Sequence, residues 1–372
     1  MTRRTALSLL LAACLFPLAL LAPATAGAAP APAVAASSGA VPGPGWYLAV
    51  VSRGPDGEYG GISARTQRLV LVSPAGETTT VYQRTVSRHA GGFWLLDWSA
   101  DGRTALLIAP GKNGARVVRV DVTTGAAQEL RVPVLQSAVL DPAGTGILAS
   151  SWKEPRSDTL VLDRIDWSGA RTRLREGIGE FLTPGRNGTV IVSAPRGTKQ
   201  YVLDTDDGAV VDRFRGRRYC APVRWWDATR LLEWCGQHGD LFLVDPTSGR
   251  SNRLTDDHGR GDFGHVDARS AGGRLYVQVA GACGYTFVGR HTDRGTVKHL
   301  RVPGAIGSVN LVDAVGTDLV LQHATSCDGD RPRAMLARFD PVHHEETPLL
   351  TLGRHEDFGR ILVFGEVRTS RF

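Results

Sequence analysis

Short apolar runs divided by turn residues recur along this chain with a period of roughly 42 residues, the length of a four-stranded repeat. The best-formed copy opens with Trp94-Leu95-Leu96-Asp97-Trp98 and turns through Ser99-Ala100-Asp101-Gly102. The apolar run Ala105-Leu106-Leu107-Ile108-Ala109 follows, then Ala115-Arg116-Val117-Val118-Arg119-Val120-Asp121, the turn Thr123-Thr124-Gly125 and the segment Gln128-Glu129-Leu130. Runs this short, bounded by Gly, Asp and Thr, predict strands rather than helices. Four in succession predict one blade of a β-propeller, whose faces are buried only when blades stack around an axis.

The turn between a blade's first two strands sets the register. It falls at Ser99–Gly102, Asp141–Gly144, Thr183–Gly188, Asp227–Thr229, Ser270–Gly273 and Asp313–Gly316. Gly, Pro, Asn and Asp supply the tight conformations needed there. Six blades follow directly, between residues 92 and 353. The chain ends predict a seventh. Trp46–Val51, Arg68–Val72 and Thr79–Tyr82 look like second, third and fourth strands without a first, and Arg360–Gly365 is an orphan strand. Pairing them closes the ring and removes exposed sheet edges. The expected fold is therefore an all-β propeller over residues 45–372, of seven four-stranded blades, its C-terminal strand completing the N-terminal blade. Six or eight blades stay open on the pattern alone.

The Trp98-Ser99-Ala100-Asp101-Gly102 turn, with its following apolar strand and Val118-Arg119-Val120-Asp121 before a glycine turn, resembles the repeat of TolB-like β-propellers. The consensus there is W-S-P-D-G, from which Ala100 departs, and the other copies agree in period rather than in motif. The resemblance implies a secreted or periplasmic bacterial protein of actinobacterial type that serves as a protein-interaction platform.

Ahead of the repeats, Arg3 and Arg4 precede an apolar stretch from Ala6 to Leu21, interrupted by Pro17. The small residues Ala24-Thr25-Ala26 and Gly27-Ala28-Ala29 come next. This is the pattern of a secretory signal peptide over residues 1–28, with cleavage after Ala26 or Ala28. The stretch is short for a transmembrane helix, so the mature chain is expected to carry no membrane span. Leu11-Ala12-Ala13-Cys14 also resembles a lipobox, but the apolar run continues to Leu21, so lipoprotein processing at Cys14 is the less favoured route. Residues 29–44, rich in Ala and Pro, read as a flexible linker. The expected location is outside the cell or on the exterior of its envelope.

Export changes the reading of the cysteines. Cys220, Cys235, Cys283 and Cys327 remain after cleavage, an even number in an oxidising setting, which predicts disulfides rather than metal ligation. Cys220 and Cys235 flank a strand-turn-strand hairpin and can pair across it. Cys283 and Cys327 occupy equivalent loops of successive blades and could staple one to the next. Charge adds an exclusion: 43 basic against 37 acidic residues give a formal net charge of +6. No Lys/Arg block accompanies it, so a nucleic-acid partner is not expected. The chain is expected to act as a monomer.

Candidate chemistry is sparse. Gly-x-Ser-x-Gly, the P-loop pattern and H-E-x-x-H are all absent. The recurrence that remains lies in loops leading from one blade to the next, in Arg88-His89-Ala90-Gly91-Gly92-Phe93, Asp256-Asp257-His258-Gly259-Arg260-Gly261-Asp262-Phe263 and Arg354-His355-Glu356-Asp357-Phe358. His89, His258, His265 and His355, with Asp257, Asp262, Glu356 and Asp357, could hold a polar ligand or a divalent cation at the channel mouth. The structural alternative has Phe wedged between blades while His caps a loop, and it is favoured. No cofactor is predicted. Asp340-Pro341-Val342-His343-His344-Glu345-Glu346 reads as a solvated outer turn, and the tryptophans read as packing between blades rather than as a glycan platform.

These features predict an exported, non-enzymatic platform that binds a protein or cell-envelope component through one face, with a glycan as a further option. The alternative is a propeller enzyme, such as a lyase, glycosidase or quinone-type dehydrogenase, with a His/carboxylate site at the channel mouth. It requires those histidines to converge in one deep pocket.

Overall fold

The computed structural model describes residues 41–54, 66–86, 92–111, 114–154, 159–195, 199–216, 220–236, 239–255, 264–281, 285–305, 307–324 and 333–370. Among them the chain makes seven four-stranded antiparallel sheets. Six are built from consecutive strands, and the seventh joins Glu356–Val363 to Tyr47–Arg53, Thr66–Val72 and Thr78–Thr85. That last sheet is blade 1, and the others follow as blades 2 to 7. Their inner strands are Trp94–Trp98, Leu135–Leu140, Leu182–Pro184, Cys220–Trp225, Gly264–Ala271 and Ser308–Val315. No helix among the described residues is long and apolar enough to cross a membrane.

The ring closes because the central strands of each blade are apolar on both faces. Alternate residues of one strand enter different cores. On Tyr47–Arg53, Leu48 and Val50 pack with Leu95 and Leu107 of blade 2, whereas Tyr47, Ala49 and Val51 pack with Val320 and Leu336 of blade 7. The same division continues around the molecule, and seven apolar clusters occupy the seven interfaces between neighbouring blades. Burial on both faces is why these strands read as continuous apolar runs instead of alternating ones. Outer strands such as Arg171–Ile178 carry polar residues toward solvent.

Gly102 explains the best-formed turn. It takes φ +73°, and a Cβ there would stand 2.6 Å from Cε2 of Phe364. Trp98 Nε1 donates to the Gly102 carbonyl at 2.9 Å, and Ser99 Oγ donates to Asp101 Oδ1 at 2.6 Å. Trp98, Ser99, Asp101 and Gly102 thus close the turn on itself.

Two details differ from the sequence pattern. The closing strand begins at Glu356, not Arg360, and it ends at Val363. A register shift opposite Ala49 and Val51 accommodates Gly359 and Arg360, which interrupts the alternation and hides the first half of the strand from a pattern reading. Similar shifts occur on the inner strands of blades 2, 3, 5, 6 and 7, where Asp97, Ser137, Arg224, Asp267 and Asp313 are the first residues back in register. These bulges aim a polar side chain at each such point toward the axis.

Candidate binding site in the central channel

The residues after the closing strand turn back into the ring. Phe364 packs edge-on against Trp98, with ring centroids 5.6 Å apart. Val367 then accepts a hydrogen bond at its carbonyl from Trp225 N (3.0 Å), and Thr369 N donates to the Val223 carbonyl (3.1 Å). Ser370 N reaches the Leu182 carbonyl at 2.9 Å, and its own carbonyl accepts from Ser137 Oγ at 3.0 Å. The segment therefore enters from the side of the first-to-second strand turns and pairs along the inner strands of blades 5, 4 and 3. Ser370 is fully buried.

Charge holds this segment in place. Glu366 lies 2.6 Å from Arg269 Nη1, 3.2 Å from Arg224 Nε and 2.7 Å from Arg368 Nε. Asp267 pairs with Arg224 at 3.2 Å and with Arg368 at 3.1 Å. Arg224 also donates to the carbonyls of Trp225 and Ala268, and Arg269 donates to that of Val312. Burial works to raise the Glu366 carboxyl, but Arg269, Arg368 and Arg224 outweigh it and hold it well below the usual carboxylate range. Asp267 is depressed in the same way, its burial opposed chiefly by Arg224 and Arg269. Burial and neighbouring Arg269 pull Arg224 down to about 10, so it remains charged at neutral pH.

Around this centre stand two carboxyls of the opposite kind. Burial raises Asp97, whose oxygens accept from Trp98 N on its own blade and from Leu140 N on blade 3, each at 2.8 Å. Burial also raises Asp313, which lies 3.5 Å from the Tyr47 hydroxyl.

Beyond the segment the channel keeps a cavity of ≈ 280 Å³, with Asp267, Gln278, Asn310, Gln322, Arg360 and Arg368 among its walls. Asn310 and Gly359 belong to the first halves of their inner strands, so the cavity lies on the side away from the first-to-second strand turns.

The sequence-derived candidates are placed elsewhere or not described. His89, His258, Asp257, Asp262, Cys283 and Cys327 lie outside the described residues. His265 is buried in blade 6, where Nδ1 lies 2.9 Å from Thr255 Oγ1 and its ring meets that of His291 edge-on. His355 precedes the closing strand of blade 1, and its carbonyl accepts from Gly54 N. Blade 7 separates these two histidines. Glu356 pairs with Arg68 at 2.7 Å, and Asp357 accepts from Phe358 N. Phe93 and Phe358 are buried between blades.

Cys220 and Cys235 face each other across their hairpin and form a disulfide. Among the described residues, Cys220, Glu233 and Cys235 are the one group of His, Cys, Asp and Glu donors close enough to share an ion. Two of the three are consumed by that disulfide. Glu233 accepts from Gln200 Nε2 at 2.7 Å.

The charged channel residues were not singled out from sequence. For Arg224 and Asp267 the signal is a charged side chain at the bulge of an inner strand, where the apolar pattern is interrupted; Glu366 and Arg368 lie beyond the last strand and carry none.

No family model matches the chain, and no curated protein does. Solved structures do match. TolB from Acinetobacter baumannii is 13% identical, over 87% of this chain and 68% of that one, with a TM-score of 0.47. Dihydro-heme d1 dehydrogenase NirN in complex with DHE is 14% identical, over 85% and 68%, at 0.50. The β-propeller domain of Cps50 (Swd1) from Myceliophteria thermophila is 14% identical, over 79% and 97%, also at 0.50. What this chain shares with the last two is the propeller fold.

Proposed function

We propose that the protein is an exported, non-enzymatic β-propeller that holds a protein or another cell-envelope component on one face. The observation that carries this reading is the occupation of the channel by residues 364–370. Most charged groups at the axis are engaged in fixing that segment: Arg224, Arg269 and Arg368 are ion-paired to Asp267 and Glu366. Groups locked in this way are poorly suited to exchanging protons with a substrate. Binding is left to the loops, which a closed ring of packed blades can present with little loss of freedom on association. The face away from the first-to-second strand turns is the binding face, because the segment fills the channel from the other side.

The enzyme alternative draws no support from the described histidines, since His265 and His355 stand on blades 6 and 1. Crosslinking on intact cells, read by mass spectrometry, tests the proposal. Crosslinks to one protein or glycan component confined to that face are expected. Crosslinks spread evenly over both faces would count against it. N-terminal sequencing of the exported chain tests the leader. A start at Gly27 or Ala29 is expected, a start at Cys14 would mark a lipoprotein, and retention of Met1 inside the cell would overturn export.

A further inference from the structure

The geometry points to a binding site for a small organic monocarboxylate in the channel cavity, anchored by Arg360. Three guanidiniums of the channel, Arg224, Arg269 and Arg368, already share the carboxylates of Asp267 and Glu366. Arg360 is a fourth. Its hydrogen-bond partners are carbonyls, Thr369 O at 3.1 Å and Leu95 O at 3.5 Å, and among the described residues no carboxylate lies within ion-pairing distance. Asp97, on the neighbouring inner strand, attracts Arg360 through space but spends both oxygens on backbone N–H groups rather than on the guanidinium. The cavity wall thus carries a guanidinium that no carboxylate of the described residues contacts directly. Sequestering such a group from water is costly unless its donors are satisfied, and an anion would complete them.

The remaining wall is built for hydrogen bonding. Gln278 donates to Asn310 Oδ1 at 3.1 Å, Thr286 Oγ1 donates to the same oxygen at 2.8 Å, and Leu311 N donates to Gln278 Oε1 at 2.9 Å. Those bonds fix the Asn310 amide and leave its nitrogen as the donor for a ligand, with Gln322 on the same wall. A guanidinium fork matches a carboxylate in a plane. One open guanidinium, with Asp267 on the same wall, suits a single negative charge better than a phosphate dianion. At ≈ 280 Å³ the cavity admits a small acid with a polar body. The site stands whether or not a partner docks on the face above it.

Thermal unfolding of the full chain with gluconate, triglycine, triglycine amide or phosphate tests this. Gluconate or triglycine at tens of millimolar is expected to raise Tm by about 2 °C or more. Arg360→Gln is expected to abolish that rise. Where that variant does not fold, Asn310→Leu serves, with the rise reduced. A response to gluconate marks a free hydroxy acid as the ligand type, and a response to triglycine alone, absent with its amide, marks a peptide end. The proposal is overturned if no carboxylate probe acts, if phosphate or triglycine amide acts as strongly, or if the folded variant responds like the parent.

Discussion

Glu366, near the end of the chain, lies 2.6 Å from Arg269 on the inner strand of blade 6, both of them buried against the axis of the ring. The pair ties the last residues to a blade almost a hundred positions earlier in sequence. It works within a network, since Arg224 and Arg368 also reach the same carboxylate. Removing that carboxylate leaves three guanidiniums sharing Asp267. Glu366→Gln is therefore expected to cost about 3–5 kcal/mol, the range for breaking a buried pair by removing one partner. Urea unfolding measures it; a change within about 0.5 kcal/mol, typical of surface sites, would contradict the network.

Acid sensitivity follows from the same residues. Glu366 and Asp267 are held below their unfolded values, so their stabilisation is complete above the ordinary carboxylate range. It is lost as pH falls through that range toward their folded values. Asp97 and Asp313 act in the opposite sense: burial raises them, so they favour the folded state at low pH and oppose it as pH rises. The parent is expected to lose stability below about pH 5, and Glu366→Gln to lose less over the same interval. Urea midpoints from pH 3 to 8 measure this. Equal acid slopes would show that Glu366 is not a principal contributor.

Gly102 couples the most recognisable turn to the returning segment. Its positive φ disfavours a side chain, and the added carbon would press on Phe364. Gly102→Ala is expected to destabilise by about 1–2 kcal/mol from backbone strain alone, with a further loss from the displaced ring. Phe364→Ala should then lessen the penalty of a second Gly102→Ala change. A double-mutant cycle measures the coupling, and strict additivity would show that the two do not meet.

The disulfide between Cys220 and Cys235 closes a short loop, the two residues being 15 apart. A loop of that length contributes about 3 kcal/mol by restricting the unfolded chain. Mass spectrometry of the unreduced protein should find these two residues linked. The Cys220→Ser/Cys235→Ser double variant should unfold at lower urea, and an unchanged midpoint would contradict the expectation.

The blades were legible in sequence because strands buried on both sides leave unbroken apolar runs between glycine turns. The pairing of Cys220 with Cys235 was legible because a hairpin places its flanks opposite each other. Phe93 and Phe358 likewise betrayed themselves as large apolar residues beside loops. The channel was not legible. Glu366-Val367-Arg368-Thr369-Ser370 reads as a polar chain end, since its partners lie in blades 3 to 6 and no local period relates them. Arg224, Asp267 and Arg269 look like solvent-facing positions of strands, because bulges shift them out of the alternation that would mark an inward side chain. Of the histidines, His265 was chosen for its chemistry but is buried within blade 6 against Thr255 and His291.

The channel has the form described only while residues 364–370 are held there in solution. Hydrogen exchange at the amides of Trp225, Thr369 and Ser370 is the most direct measurement, because those N–H groups bond the segment to the inner strands. They are expected to exchange as slowly as the amides of Leu231 and Leu232 in the blade 5 core. Rapid exchange at Thr369 and Ser370, with the blade cores still protected, would show that the channel is open and would remove the basis of the proposed function.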